Sequence, residues 1–419
     1  MYPIHTTQQR DNLQQRKSVS LWRNLDFLLL SSGQIVSVLG SRISSFALPL
    51  LVLALTHSPA VAGLLLALEM LPWLLFSLPL GALLDRWNRK TVMILCDVVR
   101  LLALGSVPVA FFLGHLSVAQ LFLVAFLSGS ANVCFELAQL AVLSNVVHPS
   151  QLARAYSITE LTTSTSKLLG PPLGGLIIGL ARTTIVGAVL AYLIDSQTYL
   201  ASVITLGFIR APFQSKHQDL VRHSLWQDIL EGLRLLWQQP LLRILVLRTA
   251  TVNFLTASLT LIVIVKATAL HATPVIIGLI FGIAGASGFV GGIIAPWINV
   301  RLRLGRIIVG CVLLWAAACS VLAFAQVPLM LAAGVALIDL LWPIYSVVVV
   351  TYRLSLVPDH VQGRINSSFR FVSYGSEALG SALGGLFLAM LGAQSLLWLI
   401  CAGLVLCALV SSCTQLRQA

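Results

Sequence analysis

Charged residues are scarce in this chain: Asp, Glu, Lys and Arg make up 10% of its 419 residues, and the acidic ones number 14. Soluble domains carry about 25% charged residues, so there is too little charge here to cover a water-facing surface, and soluble globular and disordered classes are excluded. Cysteine is present but unorganised. Cys96, Cys134, Cys311, Cys319, Cys401, Cys407 and Cys413 sit within or at the ends of apolar runs with no Cys-x-x-Cys pairing, which argues against disulfides and a zinc site. The histidines, His5, His57, His115, His148, His217, His223, His271 and His360, lie mostly in connections and lack metal-ligand spacing. A Gly-x-x-x-x-Gly-Lys-[Ser/Thr] phosphate loop is missing, so direct ATP drive is not encoded. No Ser/His/Asp set is apparent either. Residues 1–24 are polar and hold Arg10, Arg16, Lys17 and Arg23 without an apolar h-region, so they do not read as a cleavable signal peptide.

What the chain does have is apolar residues, 58% of the total, in long runs of about 20 or more. Such runs are membrane-spanning helices rather than the roughly 10-residue alternating strands of an outer-membrane barrel. Read between charges, the spans fall near 25–55, 60–84, 91–113, 117–147, 153–181, 184–209, 241–269, 274–299, 307–325, 328–352, 361–391 and 393–413. The expected fold is therefore an all-α integral membrane protein of twelve transmembrane helices. It divides into an N-terminal tail (1–24), a six-helix bundle (25–209), a linker (210–240), a second six-helix bundle (241–413) and a C-terminal tail (414–419).

In a soluble protein the net charge of +12 would raise nucleic acid as a partner; here its placement matters more. With the N-terminus inside, the inner connections contain Arg86, Arg89 and Lys90; Arg154; Arg210, Lys216, Arg222, Arg234, Arg243 and Arg248; Arg301, Arg303 and Arg306; Arg353 and Arg364; and Arg417. Outer connections receive only Arg182 and Lys266. The positive-inside bias thus predicts both termini to be cytoplasmic. In the long linker, Ser224-Leu-Trp-Gln227 has a capping-box pattern and is followed by Ile229, Leu230, Leu233, Leu236 and Trp237 at helical spacing until Pro240. It reads as an amphipathic helix lying in the inner interface.

The two bundles repeat one another. Arg154, Ser157, Ser166, Leu169, Gly170, Leu173, Gly174, Gly175 and Leu176 align without a gap on Arg364, Ser367, Ser376, Leu379, Gly380, Leu383, Gly384, Gly385 and Leu386. An even number of crossings per copy gives both the same orientation, a parallel repeat about an axis along the membrane normal.

Between the second and third spans runs Gly81-Ala-Leu-Leu-Asp85-Arg86-Trp-Asn88-Arg89-Lys90, which resembles the Gly-x-x-x-Asp-Arg-x-Gly-Arg-Arg/Lys loop of the major facilitator superfamily. Gly81 permits close helix approach, and Asp85 can sit on the positive N-terminus of another helix. Asn88 replaces the family's turn glycine, with Asn expected to reach positive φ. The resemblance implies that Asp85 docks near Gly363 and Arg364 and locks the inner side. In the fifth span, Gly170-Pro171-Pro172-Leu173-Gly174-Gly175 resembles the antiporter motif of the same superfamily, with Ser166 where a further glycine is expected. Asp97, Arg100 and the sequence from Pro149 to Gly175 are similar to exporters grouped with enterobactin and macrolide efflux proteins. The fourth span lacks the arginine common in proton-coupled drug antiporters, so that relay is not carried over.

Ionisable groups within a bilayer cost at least roughly 2.5–3.5 kcal/mol each on insertion scales and mark function by default. Glu136 shares a stripe with Asn132 and Gln139 and is the first candidate proton carrier. Glu160 and Lys167 share one face of the fifth span, and Arg370 and Glu377 match them in the eleventh with the signs reversed. Each face is expected either to find partners within its bundle or to couple protons. Glu69 and Asp339 are lone carboxylates beside Pro72 and Pro343, further proton sites. Gln34, Arg42, Asn132, Glu136 and Arg370 are candidates for the substrate cavity, with pairing to Glu69 an alternative for Arg42. Asp195 is expected to pair with Arg100.

These features, with the resemblance, imply a secondary transporter of the cell membrane, a monomer in the bilayer without metal or cofactor. It is expected to export an amphipathic drug, macrolide or siderophore by proton antiport and alternating access. A lipid or lysolipid flippase of the same fold is the alternative, and a membrane-embedded enzyme is disfavoured for want of a histidine or carboxylate cluster at one interface. The signature loop carries its own test: Asp85→Asn slows cycling and leaves substrate affinity intact, whereas a selective loss of affinity in a binding assay counts against the locking role.

Overall fold

The structure is a computed structural model, and it describes residues 21–84, 87–148, 151–209, 234–302, 304–356 and 362–412. Its regular elements are helices: α1 (Leu25–Thr56), α2 (Pro59–Leu84), α3 (Arg89–Phe112), α4 (Val118–Val146), α5 (Leu152–Leu180) and α6 (Thr184–Phe208) form the first bundle. The second begins with α7, interrupted at Ala257 and Ser258 into Pro240–Thr256 and Leu259–Ala269. There follow α8 (Pro274–Arg301), α9 (Leu304–Phe324), α10 (Pro328–Leu356) and the helical stretch Gln362–Ser412.

That last stretch is two helices meeting at Gly392, whose φ of 77° and ψ of 166° break the helix; we call them α11 (362–391) and α12 (393–412). Gly380 and Gly403, on opposite sides of the break, approach neighbouring positions of α7, Phe254 and Leu255, so the chain turns back at Gly392. The span boundary expected at this residue is observed. Among the described residues, ten stretches are long and apolar enough to cross a membrane; the last of them holds two crossings, and α5 completes the twelve. The first half of α5, Ser157-Ile-Thr-Glu160-Leu-Thr-Thr-Ser-Thr-Ser-Lys167, is polar because it faces a cavity.

Capping explains where several helices start. Asn24, Ser117, Thr183 and Thr273 accept backbone N–H bonds from Phe27, Gln120, Val186 and Ile276, pairing donors that a helix N-terminus otherwise leaves open. Asn88 belongs to this group, which corrects the expectation of a positive-φ turn: its φ is −67° and its side chain accepts from Lys90 N and Thr91 N. Asparagine stands here because it caps α3. Lys90 Nζ in turn donates to the Gly207 and Ile209 carbonyls at 3.0 and 2.6 Å, a cation on the negative end of α6. Lys266 does the same for α9, donating to the Leu322 and Ala323 carbonyls. Asp85 and Arg86 lie outside the described residues, as do 210–233 of the linker, and of 362–364 only the helical backbone is described. The end of the linker is a helical turn that buries Leu236 and exposes Trp237.

The internal repeat is visible in the contacts. Gly170 packs on Arg42 of α1, and its repeat mate Gly380 packs on Phe254 of α7; Gly174 meets Phe46, and Gly384 meets Ser258. Gly175 of α5 approaches Pro274 and Gly278 of α8, while Gly385 of α11 approaches Pro59 and Gly63 of α2. The connections repeat as well: His57 after α1 and His271 after α7 both adopt positive φ, 51° and 56°. The molecule is two pseudo-symmetric six-helix bundles joined along α5–α8 and α2–α11.

We call the membrane side on which α1 starts terminal and the other distal. Gly63, Gly175, Gly278 and Gly385 all lie in the distal half. On α8, Gly278, Gly282 and Gly285 form a groove that takes Pro171, Pro172 and Leu168 of α5. Gly-x-x-x-Gly spacing serves such backbone approach between membrane helices, and α5 stays continuous through both prolines. Side chains cannot be added to this groove without parting the helices. We expect Gly278→Leu to cost about 1–3 kcal/mol of stability, the usual cost of overpacking, and to raise maleimide labelling of a cysteine placed at Val275. Unchanged unfolding temperature and labelling would refute the tight distal seam.

Candidate functional site

A cavity of about 390 Å³ opens within the first bundle and reaches from Leu30 and Tyr156 on the terminal side to Glu69 and Trp73 at mid-membrane. Its size falls within the roughly 300–1,000 Å³ of small-molecule sites. Gln34, Arg42, Glu69, Asn132, Glu136, Gln139 and Glu160 all line it, and α11 contributes Arg370. Every candidate cavity residue thus faces one space. Lys167 is on the same face of α5 but not on this wall. Asp339 and Glu377 line a separate cavity of about 200 Å³ in the second bundle.

Small residues on α1 let the wall form. Gly33 and Gly40 allow close approach of α6 at Thr205 and at Thr198 with Asp195. Between these helices lies a polar cluster. Ser44 donates to Asp195, as does Thr198, and Ser41 shares a 2.7 Å hydrogen bond with the Tyr199 hydroxyl. The pairing of Asp195 with Arg100 does not occur, because α6 packs Asp195 against the hydroxyls of α1 while Arg100 has a carboxylate on its own helix. Arg100 Nη1 stands 3.8 Å from Asp97 Oδ1, and Asp97 also accepts from Ser202 at 2.6 Å.

From Arg100 a chain of polar groups leads outward. Its Nη2 donates to Asn132 Oδ1 at 2.6 Å, and Asn132 Nδ2 donates to Glu136 Oε1 at 3.2 Å. The guanidinium is also held over the Phe135 and Tyr199 rings, 5.5 and 5.1 Å from their centroids. A buried ion pair is thus connected through one amide to a carboxylate exposed in the cavity. Such a connected set shares charge among its members.

Other charges interact only at longer range, Arg42 with Glu69 and Lys167 with Asp339 and Glu160. Among the described residues, no ion pair joins Arg42 to Glu69, or Glu160, Lys167, Arg370 and Glu377 to any partner. The expected pairing within each bundle is not seen. For Arg42, Glu69, Glu160 and Arg370, which line the larger cavity, and Glu377, which lines the smaller, the cavities supply the physical reason: water there can solvate a charge that packed apolar neighbours could not. Arg370 lies 5.9 Å from the centroid of the Trp73 ring, which itself stacks on Tyr374 at 4.8 Å, so aromatic faces of α2 and α11 close the cavity between the bundles.

Gly170 and Gly174 of the antiporter-like motif press on α1 beside Arg42, and Gly175 on α8. The motif thus binds the cavity wall to the distal seam. Of the signature loop, Gly81 lies in the helical backbone of α2, and Arg89 and Lys90 open α3. Sequence reading missed the serine stripe Ser37, Ser41 and Ser44, although its helical spacing on α1 was available. It also missed Asn253 and the break in α7, which has no proline or glycine to announce it.

A twelve-helix membrane protein of two repeat-related bundles enclosing a polar cavity has the build of a secondary transporter. The family model for the Major Facilitator Superfamily matches residues 30–381, and the chain belongs to this superfamily. It is 26% identical over 371 residues to the multidrug efflux pump Tap of Mycobacterium tuberculosis, with 86% of each chain covered. It is 27% identical over 219 residues to macrolide efflux protein A of Streptococcus pyogenes, covering 52% of each. Solved structures of similar fold include the nucleoside transporter NupG, at a TM-score of 0.74 and 12% identity over 93% of this chain and 98% of that one. A bacterial homologue of the iron transporter ferroportin in an inward-facing state superposes at a TM-score of 0.71 with 18% identity, covering 94% and 98%. The protein is a multi-pass membrane transporter, not an enzyme.

The Asp97–Arg100 pair gives a stability test. Arg100→Met leaves Asp97, 1% exposed, as an uncompensated charge, for which about 3–5 kcal/mol is lost. Adding Asp97→Asn should restore most of the unfolding temperature; equal losses in the single and double variants would show that the pair is not coupled.

Proposed function

We propose that this transporter exports an amphipathic small molecule of drug, macrolide or siderophore type across the cell membrane, driven by inward proton flow. Glu136 is the observation that carries the reading: a cavity-exposed carboxylate connected through Asn132 to the buried Arg100–Asp97 pair. When Glu136 binds a proton, the acceptor facing Asn132 loses its negative charge, and the amide and guanidinium behind it meet a changed field. That is a way for a proton in the cavity to alter packing among α1, α3, α4 and α6. Glu69 and Glu160 share the same cavity, and with Lys167, Asp339 and Glu377 they are secondary coupling candidates.

Gln34, Arg42, Asn132 and Arg370 offer donors to a polar or anionic group of the substrate, and Leu30, Leu48, Leu104 and Trp73 offer it apolar wall. In this reading the distal seam of α5–α8 and α2–α11 opens when the bundles rock, while the loop from Gly81 to Lys90 holds the terminal side. The terminal side is cytoplasmic, as the basic connections imply. The protein works as a monomer in the bilayer, and the proton gradient replaces any cofactor or nucleotide. The named relatives, two of them efflux proteins, support export.

The test is accumulation of a panel of fluorescent amphiphiles in cells with and without the protein, with and without an uncoupler. Expression should lower accumulation of at least one amphiphile, uncoupler should abolish the difference, and Glu136→Gln should remove about 90% or more of gradient-driven export, in keeping with loss of a step worth about 1.4 kcal/mol or more. Export insensitive to both the uncoupler and Glu136→Gln would overturn proton coupling.

A further inference from the structure

Spacing along the chain argues against disulfides, but it says nothing of thiols that meet from neighbouring helices. Cys96 of α3 and Cys134 of α4 are hydrogen-bonded to each other through their side chains. Both are free thiols, Cys96 buried and Cys134 partly exposed. They belong to the apolar packing that Met93, Phe135 and Ala138 build between these helices. Cys401 is different, since its thiol donates to the Ala316 carbonyl at 3.4 Å.

The open side of Cys134 is turned towards lipid. Leu123 and Leu127, 59% and 37% exposed, precede it by eleven and seven residues on the same face of α4. The larger cavity takes Asn132, Phe135 and Glu136 from this helix, and neither cysteine is in its wall. Charges beside the pair divide the roles. The Arg100 guanidinium acts electrostatically on both thiols, and Asp97 acts on Cys96. A nearby arginine favours the thiolate, the nucleophilic form, and a carboxylate opposes it, so Cys134 is set to attack and Cys96 to follow. A partly exposed thiol beside a cation and against a second thiol is the arrangement of a redox-sensing cysteine with its resolving partner.

We propose that Cys96 and Cys134 are a dithiol switch, which an organic hydroperoxide dissolved in the acyl layer closes to a disulfide that ties α3 to α4. The Cys134 sulfur attacks the terminal peroxide oxygen and the O–O bond breaks; an alcohol leaves with the thiol's proton, and Cys134 is left as the sulfenic acid. The Cys96 sulfur then attacks that of Cys134, the S–S bond forms, and the hydroxyl departs with the Cys96 proton as water. Two thiols are oxidised to one disulfide while one hydroperoxide is reduced to alcohol and water. The place of the tie gives it its effect. Cys96 lies one turn before Arg100, and Cys134 lies between Asn132 and Glu136, so the bond fixes the register of the two helices that carry the Arg100–Asn132–Glu136 chain. That consequence rests on the proton-coupled export reading; formation of the disulfide does not.

The test treats the full chain in proteoliposomes with cumene hydroperoxide. Remaining thiols are counted by maleimide labelling after denaturation, linkages are mapped by mass spectrometry of unreduced peptides, and export of a transported amphiphile is followed in parallel. We expect two thiols per chain to disappear, the peptides carrying Cys96 and Cys134 to stay joined until dithiothreitol is added, and export to be lost on oxidation and regained with the same reductant. Cys96→Ser should leave a sulfenic acid on Cys134 that dimedone traps, Cys134→Ser should leave Cys96 unoxidised, and both variants should go on exporting after treatment. Cys96 and Cys134 that both stay open to maleimide, or a sulfinic acid on Cys134 with Cys96 still free, overturn the switch, and both results are read on the unaltered protein. So does a disulfide that forms while export continues. If the disulfide forms but no amphiphile is exported even under reducing conditions, the export reading falls and the dithiol stands; if export is gradient-driven and indifferent to the oxidant, the switch falls alone.

Discussion

The architecture depends on backbone meeting backbone across the line between the bundles. At α5–α8 and α2–α11 the helices come so close that a single added Cβ would collide with main-chain atoms of the facing helix. Lipid tails are as apolar as leucine side chains, so helices in a bilayer gain little from burying apolar surface against each other and rely on packing instead. Close approach at glycine maximises that packing along a narrow strip. Because the strips lie in the distal half, the other half is left free to enclose a cavity, and polar groups there can be solvated rather than paired.

The distribution of charge follows from this division. Where helices pack tightly, as around Asp97 and Arg100, ionisable groups have partners within reach; where the bundle encloses space, Glu69, Glu160 and Arg370 face it singly. Asn132 stands at the border between the two regimes, one end of its amide bonded to the buried guanidinium and the other to Glu136. A neutral amide passes polarisation between a dry and a wet site without placing another charge in the membrane.

Much of the fold was legible in the sequence because hydropathy and repetition are strong signals. The runs that place spans near 117–147 and at 361–391 and 393–413 correspond to Val118–Val146 and to the break at Gly392. The glycines aligned between 154–176 and 364–386 make repeat-related contacts. Membership of the candidate cavity was also legible for Gln34, Arg42, Asn132, Glu136 and Arg370, since a polar residue in a span has few other places to point. Pairing was not. Whether Arg100 meets Asp195 or Asp97 depends on helix rotation of a few tens of degrees, which periodicity cannot fix, and Asn88 misled because capping and positive φ favour the same residue type. The break in α7 was invisible for a related reason: Ala257 and Ser258 carry no local signal, and only packing of α11 glycines at Phe254 and Ser258 marks the place.

The corner at Gly392 has a mechanical meaning. Helix runs up to it from Gln362 and away from it to Ser412, with one residue out of helical geometry between. Most other neighbouring helices are joined by several residues that can absorb a change of tilt; α11 and α12 have almost none. Any lean of α11 against α2 must therefore be handed to α12 at the rim of the bundle with little slack, so this hairpin moves as a lever arm, and an epitope inserted at the corner would uncouple its two limbs.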